Sequence, residues 1–199
     1  AWDIHVDGSG NIYVSDYQRH VVYKYTLADG SYTQSTVAGK YNSSGSALNQ
    51  LTHPTGIYVN ASGNVYVADQ NNHRVMKWEG GSEGLVVAGN NSNGNALNQL
   101  NQPQDIAVDS SGNIYVADYS NSRIMKWAPS AIVGSIVTEG TNHRGLQIDS
   151  SDNIYAAGNV SNNSSIFKYT LSGGTYTESI VAGGNSNGSA LNQLNYPYN

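Results

Sequence analysis

The 199-residue chain has no cysteine, which excludes disulfides, thiolate catalysis and zinc sites built on Cys. Charge is scarce as well. Asp, Glu, Lys and Arg make up 12% of the residues, the formal net charge is −5, and the nine Lys and Arg are scattered rather than gathered into a stripe. Neutralising phosphates needs such a stripe, so no nucleic-acid partner is expected. There is no apolar run of the length that spans a bilayer and no signal-like N-terminal segment, so no membrane span is expected. The five histidines, His5, His20, His53, His73 and His143, lack HExxH or other tight ligand spacing, and no GxSxG elbow, P-loop or EF-hand loop occurs. No catalytic constellation, metal or cofactor is therefore expected.

What is present is a phrase written four times. Asp7-GSGNIYV, Asn60-ASGNVYV, Asp109-SSGNIYV and Asp149-SSDNIYA begin 53, 49 and 40 positions apart, the period of a propeller blade or a solenoid unit. The third copy shows the plan. Two short alternating runs flank an SSG turn, a YSNS link leads to Arg123-IMKW, and a fourth apolar stretch follows near Ile132–Val137. Short β-rich runs separated by Gly, Asn and Ser read as consecutive antiparallel strands. Strands are expected at about 3–7, 11–16, 21–26 and 34–38, with the later units on the same plan. Four strands in each of four units make an all-β chain of four propeller blades, at about 1–40, 54–89, 103–138 and 144–183, within one domain that ends in a linker over 184–199. The blades form either a closed four-bladed ring or a segment of a larger propeller or array.

The run Pro103-QDIAVDSSGNIYVADYSNSRIMKW resembles an NHL repeat, and Asn72-His73-Arg74 carries the first two letters of the Asn-His-Leu signature. The resemblance implies a β-propeller, usually of about six blades. It covers the whole chain and is strongest in the second and third copies. Its functional implication is broad, since the family includes protein- and RNA-binding scaffolds, sensor ectodomains and a few enzymes, among them peptidyl-hydroxyglycine lyases and calcium-dependent lactonases. Fold alone does not choose among these.

Asp69 and Asp118 each precede an arginine by five residues, Arg74 and Arg123. This spacing spans the link between second and third strands and is read as a structural ion pair. The first copy has Val21 at the arginine position, and the fourth has Gly158 and Ser165 in place of both members. Lys24, Lys77, Lys126 and Lys168 recur in third strands, each before an aromatic residue, and are read as stems snorkelling past packed rings. The segment Ala47-LNQL, repeated at Ala96 and Ala190, fits one turn pinning a linker onto a blade.

Loops on a rigid scaffold are the usual place for binding. The links between second and third strands and those between blades share one face, which carries Tyr17, Asn72, His73, Tyr119 and Asn121 as candidate ligand-binding residues. After the third blade the linker shortens and loses its ALNQL turn, which groups Glu139, His143 and Arg144 as a further candidate. Asn42, Asn60, Asn90, Asn159, Asn162, Asn163 and Asn187 lie in N-x-S sequons, which points to a secreted, extracellular glycoprotein. The expectation is a non-catalytic binding or scaffold module whose partner is a protein, a glycan or further copies of itself, in a homo-oligomer or filament. A propeller enzyme of lyase or lactonase type is the alternative.

Overall fold

The computed structural model describes residues 1–90, 92–160 and 163–198. Its sixteen strands are β1 (Ile4–Val6), β2 (Ile12–Asp16), β3 (Val21–Ala28), β4 (Ser31–Gly39), β5 (Pro54–Val59), β6 (Val65–Asp69), β7 (Arg74–Trp78), β8 (Leu85–Gly89), β9 (Pro103–Val108), β10 (Ile114–Asp118), β11 (Arg123–Trp127), β12 (Ser135–Glu139), β13 (Asn142–Ile148), β14 (Ile154–Val160), β15 (Asn163–Ser172) and β16 (Thr175–Gly183). They form four four-stranded antiparallel sheets, each in sequence order. The expected all-β architecture of four propeller blades is therefore present. The third and fourth strands of the first blade are longer than expected, because paired residues continue out to Ala28 opposite Ser31.

The repeated phrase is a hairpin held by its own side chains. Asp7 Oδ1 accepts the backbone N–H groups of Ser9 and Asn11, both at 2.9 Å, and its Oδ2 accepts Asn11 Nδ2 at 2.7 Å. Asn60, Asp109 and Asp149 take the same two backbone bonds in their own blades. Gly10, Gly63 and Gly112 have φ near +80°, and Asp152 takes that place in the fourth blade at φ 59°. An Asx cap followed by a left-handed residue is the local solution for so tight a turn.

The chain divides into two compact units, Ala1–Pro103 and Gln104–Asn199. In the first, Tyr13, Val22, Ala38 and Leu51 from blade one and its linker pack against Ile57, Val59, Val65, Val67, Met76 and Trp78 of blade two. In the second, Ala107, Tyr115, Ala117 and Ile124 of blade three pack against Leu146, Ile154, Ala156, Phe167 and Tyr169 of blade four. Each fully buried Val, Leu, Ile, Met or Phe side chain among these contributes about 1.5–3 kcal/mol. The packed blades are also bonded through the backbone. Asp3 Oδ2 accepts Ile57 N at 2.9 Å, and Asp105 Oδ2 accepts Leu146 N at 2.6 Å. Both amides lie beside register irregularities in their strands.

The recurring lysines find a partner that sequence adjacency does not suggest. Lys24, Lys77, Lys126 and Lys168 place Nζ 5.1–5.5 Å from the ring centroids of Tyr13, Tyr66, Tyr115 and Tyr155. These tyrosines belong to the repeated phrase and stand directly opposite on the second strand. The contact is cation–π and cross-strand. Among the described residues, no helix is long and apolar enough to cross a membrane.

Candidate functional site

The links between second and third strands and the linkers between blades carry the side chains of interest. In blades two and three the former contain single 3-10 turns, Gln70–Asn72 and Tyr119–Asn121, closed by His73 and Ser122 in left-handed conformation. The two ion pairs read from spacing are formed and buried. Arg74 Nε and Arg123 Nε lie 2.7 Å from Asp69 Oδ2 and Asp118 Oδ2. Around the first pair the bonding is dense. Asp69 Oδ1 accepts Thr52 N at 2.6 Å, and the other guanidinium nitrogens donate to the carbonyls of Ser46, Ala47 and Gln50 at 2.9–3.2 Å. Burial pushes the Asp69 carboxyl up from its ordinary value, while the Arg74 guanidinium and the Thr52 amide pull it down. The pair latches the Ala47–Leu51 turn onto blade two.

Several candidates serve this framework. Asn72 Nδ2 donates to Gly45 O and to Asp69 Oδ2, both at 2.8 Å, and Asn121 Nδ2 donates to Asp118 Oδ2 at 2.8 Å. His73 Nδ1 accepts Gln102 N at 3.2 Å.

Glu139, His143 and Arg144 go to different places. The fourth blade's first strand starts at Asn142, so only Gly140 and Thr141 separate it from β12, and residues 143 and 144 alternate sides. His143 is fully buried, with Nε2 3.0 Å from Tyr169 Oη and its ring edge-on to Phe167 and Tyr169. Burial lowers its pKa to about 4. Glu139 is exposed at the end of β12, opposite Arg123. Arg144 lies 4.9 Å from the ring centroids of both Tyr119 and Tyr198 and donates hydrogen bonds to both hydroxyls. Tyr119 is thus placed with Arg144, and Tyr198 joins them unforeseen.

In the first unit, Tyr17 is the middle of a ring stack. Trp2 lies 5.2 Å from it and His53 4.3 Å on, both stacked, and His20 lies 4.9 Å beyond His53. His53 N donates to His20 Nδ1 at 3.2 Å, and Asn71 Nδ2 approaches His53 Nδ1 at 2.7 Å. Burial, and then His20, lower the His53 pKa. Trp2 is 44% exposed. Beside the stack, Arg19 bonds Asp16 and Tyr41. The sequence signals only Tyr17 here, because His53 arrives from the linker to the next blade. Deeper in the same unit, His5 and Tyr58 meet edge-on at 5.5 Å, and burial lowers the His5 pKa.

Of the sequons, Asn42 and Asn90 are exposed. Asn60, Asn159, Asn163 and Asn187 are half-buried, each with its amide in a hydrogen bond. Asn162 lies outside the described residues. Among the described residues, no three His, Asp or Glu side chains are grouped as metal ligands would be.

The model of the NHL repeat matches residues 51–78 and 100–127, so these two segments are NHL repeats. No curated protein matches the sequence. Among solved structures, a chain of a nidogen/laminin complex is similar at 18% identity and TM-score 0.64, covering 85% of this chain and 60% of its own. A gluconolactonase from Xanthomonas campestris is similar at 13% identity and TM-score 0.67, covering 87% and 59%. Virginiamycin B lyase from Staphylococcus aureus is similar at 14% identity and TM-score 0.58, covering 88% and 54%. These likenesses show the propeller fold. The chain spans little more than half the length of those structures.

Proposed function

We propose that this chain is a binding module that recruits a protein partner through its loop face, without catalysis, in an extracellular setting. The observation that carries the reading is the half-exposed stack of Trp2, Tyr17 and His53, held by rigid blades. Trp, Tyr and Arg are the residues that dominate protein interfaces, because they supply large, stiff contact area with a polar end. The second unit offers the same chemistry in Tyr119, Arg144 and Tyr198. One neighbour in fold comes from a protein complex, that of nidogen and laminin. Exposed sequons at Asn42 and Asn90 support the extracellular setting. Screening against extracellular proteins, with Trp2→Ala as the comparison, tests the reading; a partner held equally well by both chains counts against it.

The second reading is a propeller enzyme. It draws on His5, whose pKa burial lowers and whose ring meets Tyr58 edge-on, and on the lactonase and lyase neighbours. Turnover of a lactone that disappears in His5→Ala would favour it over the binding module.

A further inference from the structure

Three of the links between second and third strands end in a side chain that holds the linker after the blade by the same bond. His20 Nδ1 accepts the His53 N–H at 3.2 Å, His73 Nδ1 accepts that of Gln102 at 3.2 Å, and Ser164 Oγ accepts that of Tyr196 at 3.0 Å. Each linker residue stands immediately before a proline, Pro54, Pro103 or Pro197, and each has a left-handed φ, of 55°, 51° and 48°. That conformation is strained for a residue with a Cβ, and a following proline favours extended backbone instead. The bond therefore holds a backbone element that has a competing state. Of these three joints, that of His20 and His53 has an imidazole on both sides. The rings lie 4.9 Å apart, Tyr17 stacks on His53 at 4.3 Å, and His53 Nδ1 lies 2.7 Å from Asn71 Nδ2.

We infer that this joint is opened by protons: a proton on His20 Nδ1 removes the acceptor of the His53 amide, and residue 53 leaves both its left-handed conformation and its stack on Tyr17. Nδ1 accepts the amide only while it carries no proton, which assigns neutral His20 to the Nε2–H tautomer. Histidine is the side chain whose ordinary charge change falls between about pH 5 and 8. The charged and titratable groups around the joint are already committed. Asp16 pairs with Arg19, which also bonds Tyr41, while Lys40 next to Tyr41 is exposed. Asp69, at the end of β6, is held by Arg74 and the Thr52 amide. Burial and then His20 oppose charge on His53, while Asp69 favours it, so the pair resists a second proton. The Thr52 amide stays on Asp69, which confines the movement to residue 53 and the ring that stacks on it. The consequence for partner binding rests on the function proposed above, since Tyr17 and His53 belong to that stack; the joint itself does not.

The test is hydrogen exchange at the His53 amide, followed by NMR on the intact chain at about pH 7.5 and about pH 5, either side of the ordinary histidine midpoint, and expressed as protection relative to a free peptide at the same pH. His20→Asn keeps an acceptor oxygen that does not titrate and suits the left-handed φ of 61° at this position. His20→Ala removes the acceptor. In the unaltered chain, protection at His53 is expected to fall at least tenfold at the lower pH. It should stay constant in His20→Asn and be low at both pH values in His20→Ala. The Tyr196 amide, whose acceptor is a hydroxyl, is the control within the same chain and should keep its protection, so the result does not depend on a variant folding. Unchanged protection at His53 in the unaltered chain overturns the inference. So does a fall that Tyr196 or His20→Asn shares, or full protection in His20→Ala. No partner enters the measurement, so its failure leaves the binding reading to the comparison with Trp2→Ala.

Discussion

Arg74 and Asp69 form a buried bidirectional latch: at 2.7 Å the carboxylate holds the guanidinium, which spends its other nitrogens on three carbonyls of the preceding linker. The loss of both members in blade four is explained by the same geometry. The linker entering that blade has no Ala-Leu-Asn-Gln-Leu turn to latch, and the vacated space is filled by His143. A Cβ added at Gly158, the position of Asp69, would lie 3.1 Å from His143 Cδ2. The missing pair and the shortened linker are one change.

Replacing Arg74 by Met leaves Asp69 buried without its cation and frees the linker carbonyls. Breaking a buried pair in this way costs about 3–5 kcal/mol. Arg19, whose side chain is half exposed beside Asp16, should cost far less on replacement by Ala, because solvent screens an exposed pair. Urea denaturation of the two variants measures the contrast.

His143 makes stability depend on pH in a defined window. Its folded pKa is about 4, below the ordinary value near 6.5, so the unfolded chain binds the proton more readily between these values. Stability is complete above about 6.5 and falls as pH drops towards 4, by about 3 kcal/mol at most. Carboxyls such as Asp7, held to about 2 by its bonds from Asn11, act at lower pH still. His143→Phe should remove the largest part of the loss between pH 6.5 and 4, the remainder belonging to His5 and His53, whose pKa values burial also lowers; denaturation midpoints across that range will show this.

Two glycines with the same φ should respond differently to alanine. Gly10 and Gly39 both have φ 78°. Nothing lies within 4 Å of a Cβ at Gly10, whereas one at Gly39 would meet the His20 carbonyl oxygen at 2.3 Å and Leu51 Cδ1 at 3.0 Å. Gly10→Ala costs about 1–2 kcal/mol of conformational strain. Gly39→Ala adds a clash with backbone and loosens the linker anchor, so its thermal midpoint should fall clearly further.

Expression through a eukaryotic secretory route should give a chain carrying N-linked glycans at Asn42 and Asn90. Intact mass before and after endoglycosidase, with Asn42→Gln and Asn90→Gln each removing one glycan, measures this.

The fold was legible because its instructions are local. An Asx-capped turn, strand alternation and a five-residue Asp/Arg spacing all lie within one copy. What escaped the sequence depends on pairing between strands or blades. The lysines turn to the tyrosine opposite rather than the aromatic that follows them. His53 reaches Tyr17 from the linker into the next blade. The start of β13 is hidden in the sequence because Asn142-His143 stands where the other linkers present Pro54 and Pro103 as a strand start, so the sequence places His143 in a loop rather than in the core.

Binding of a protein by the loop face, led by the exposed Trp2 on Tyr17, is the proposed function. It is tested most directly by measuring the affinity of an extracellular partner, found by array screening, for the unaltered chain and for Trp2→Ala. Trp2→Ala should raise Kd at least tenfold with an unchanged thermal midpoint. Equal affinity in the two chains would contradict it.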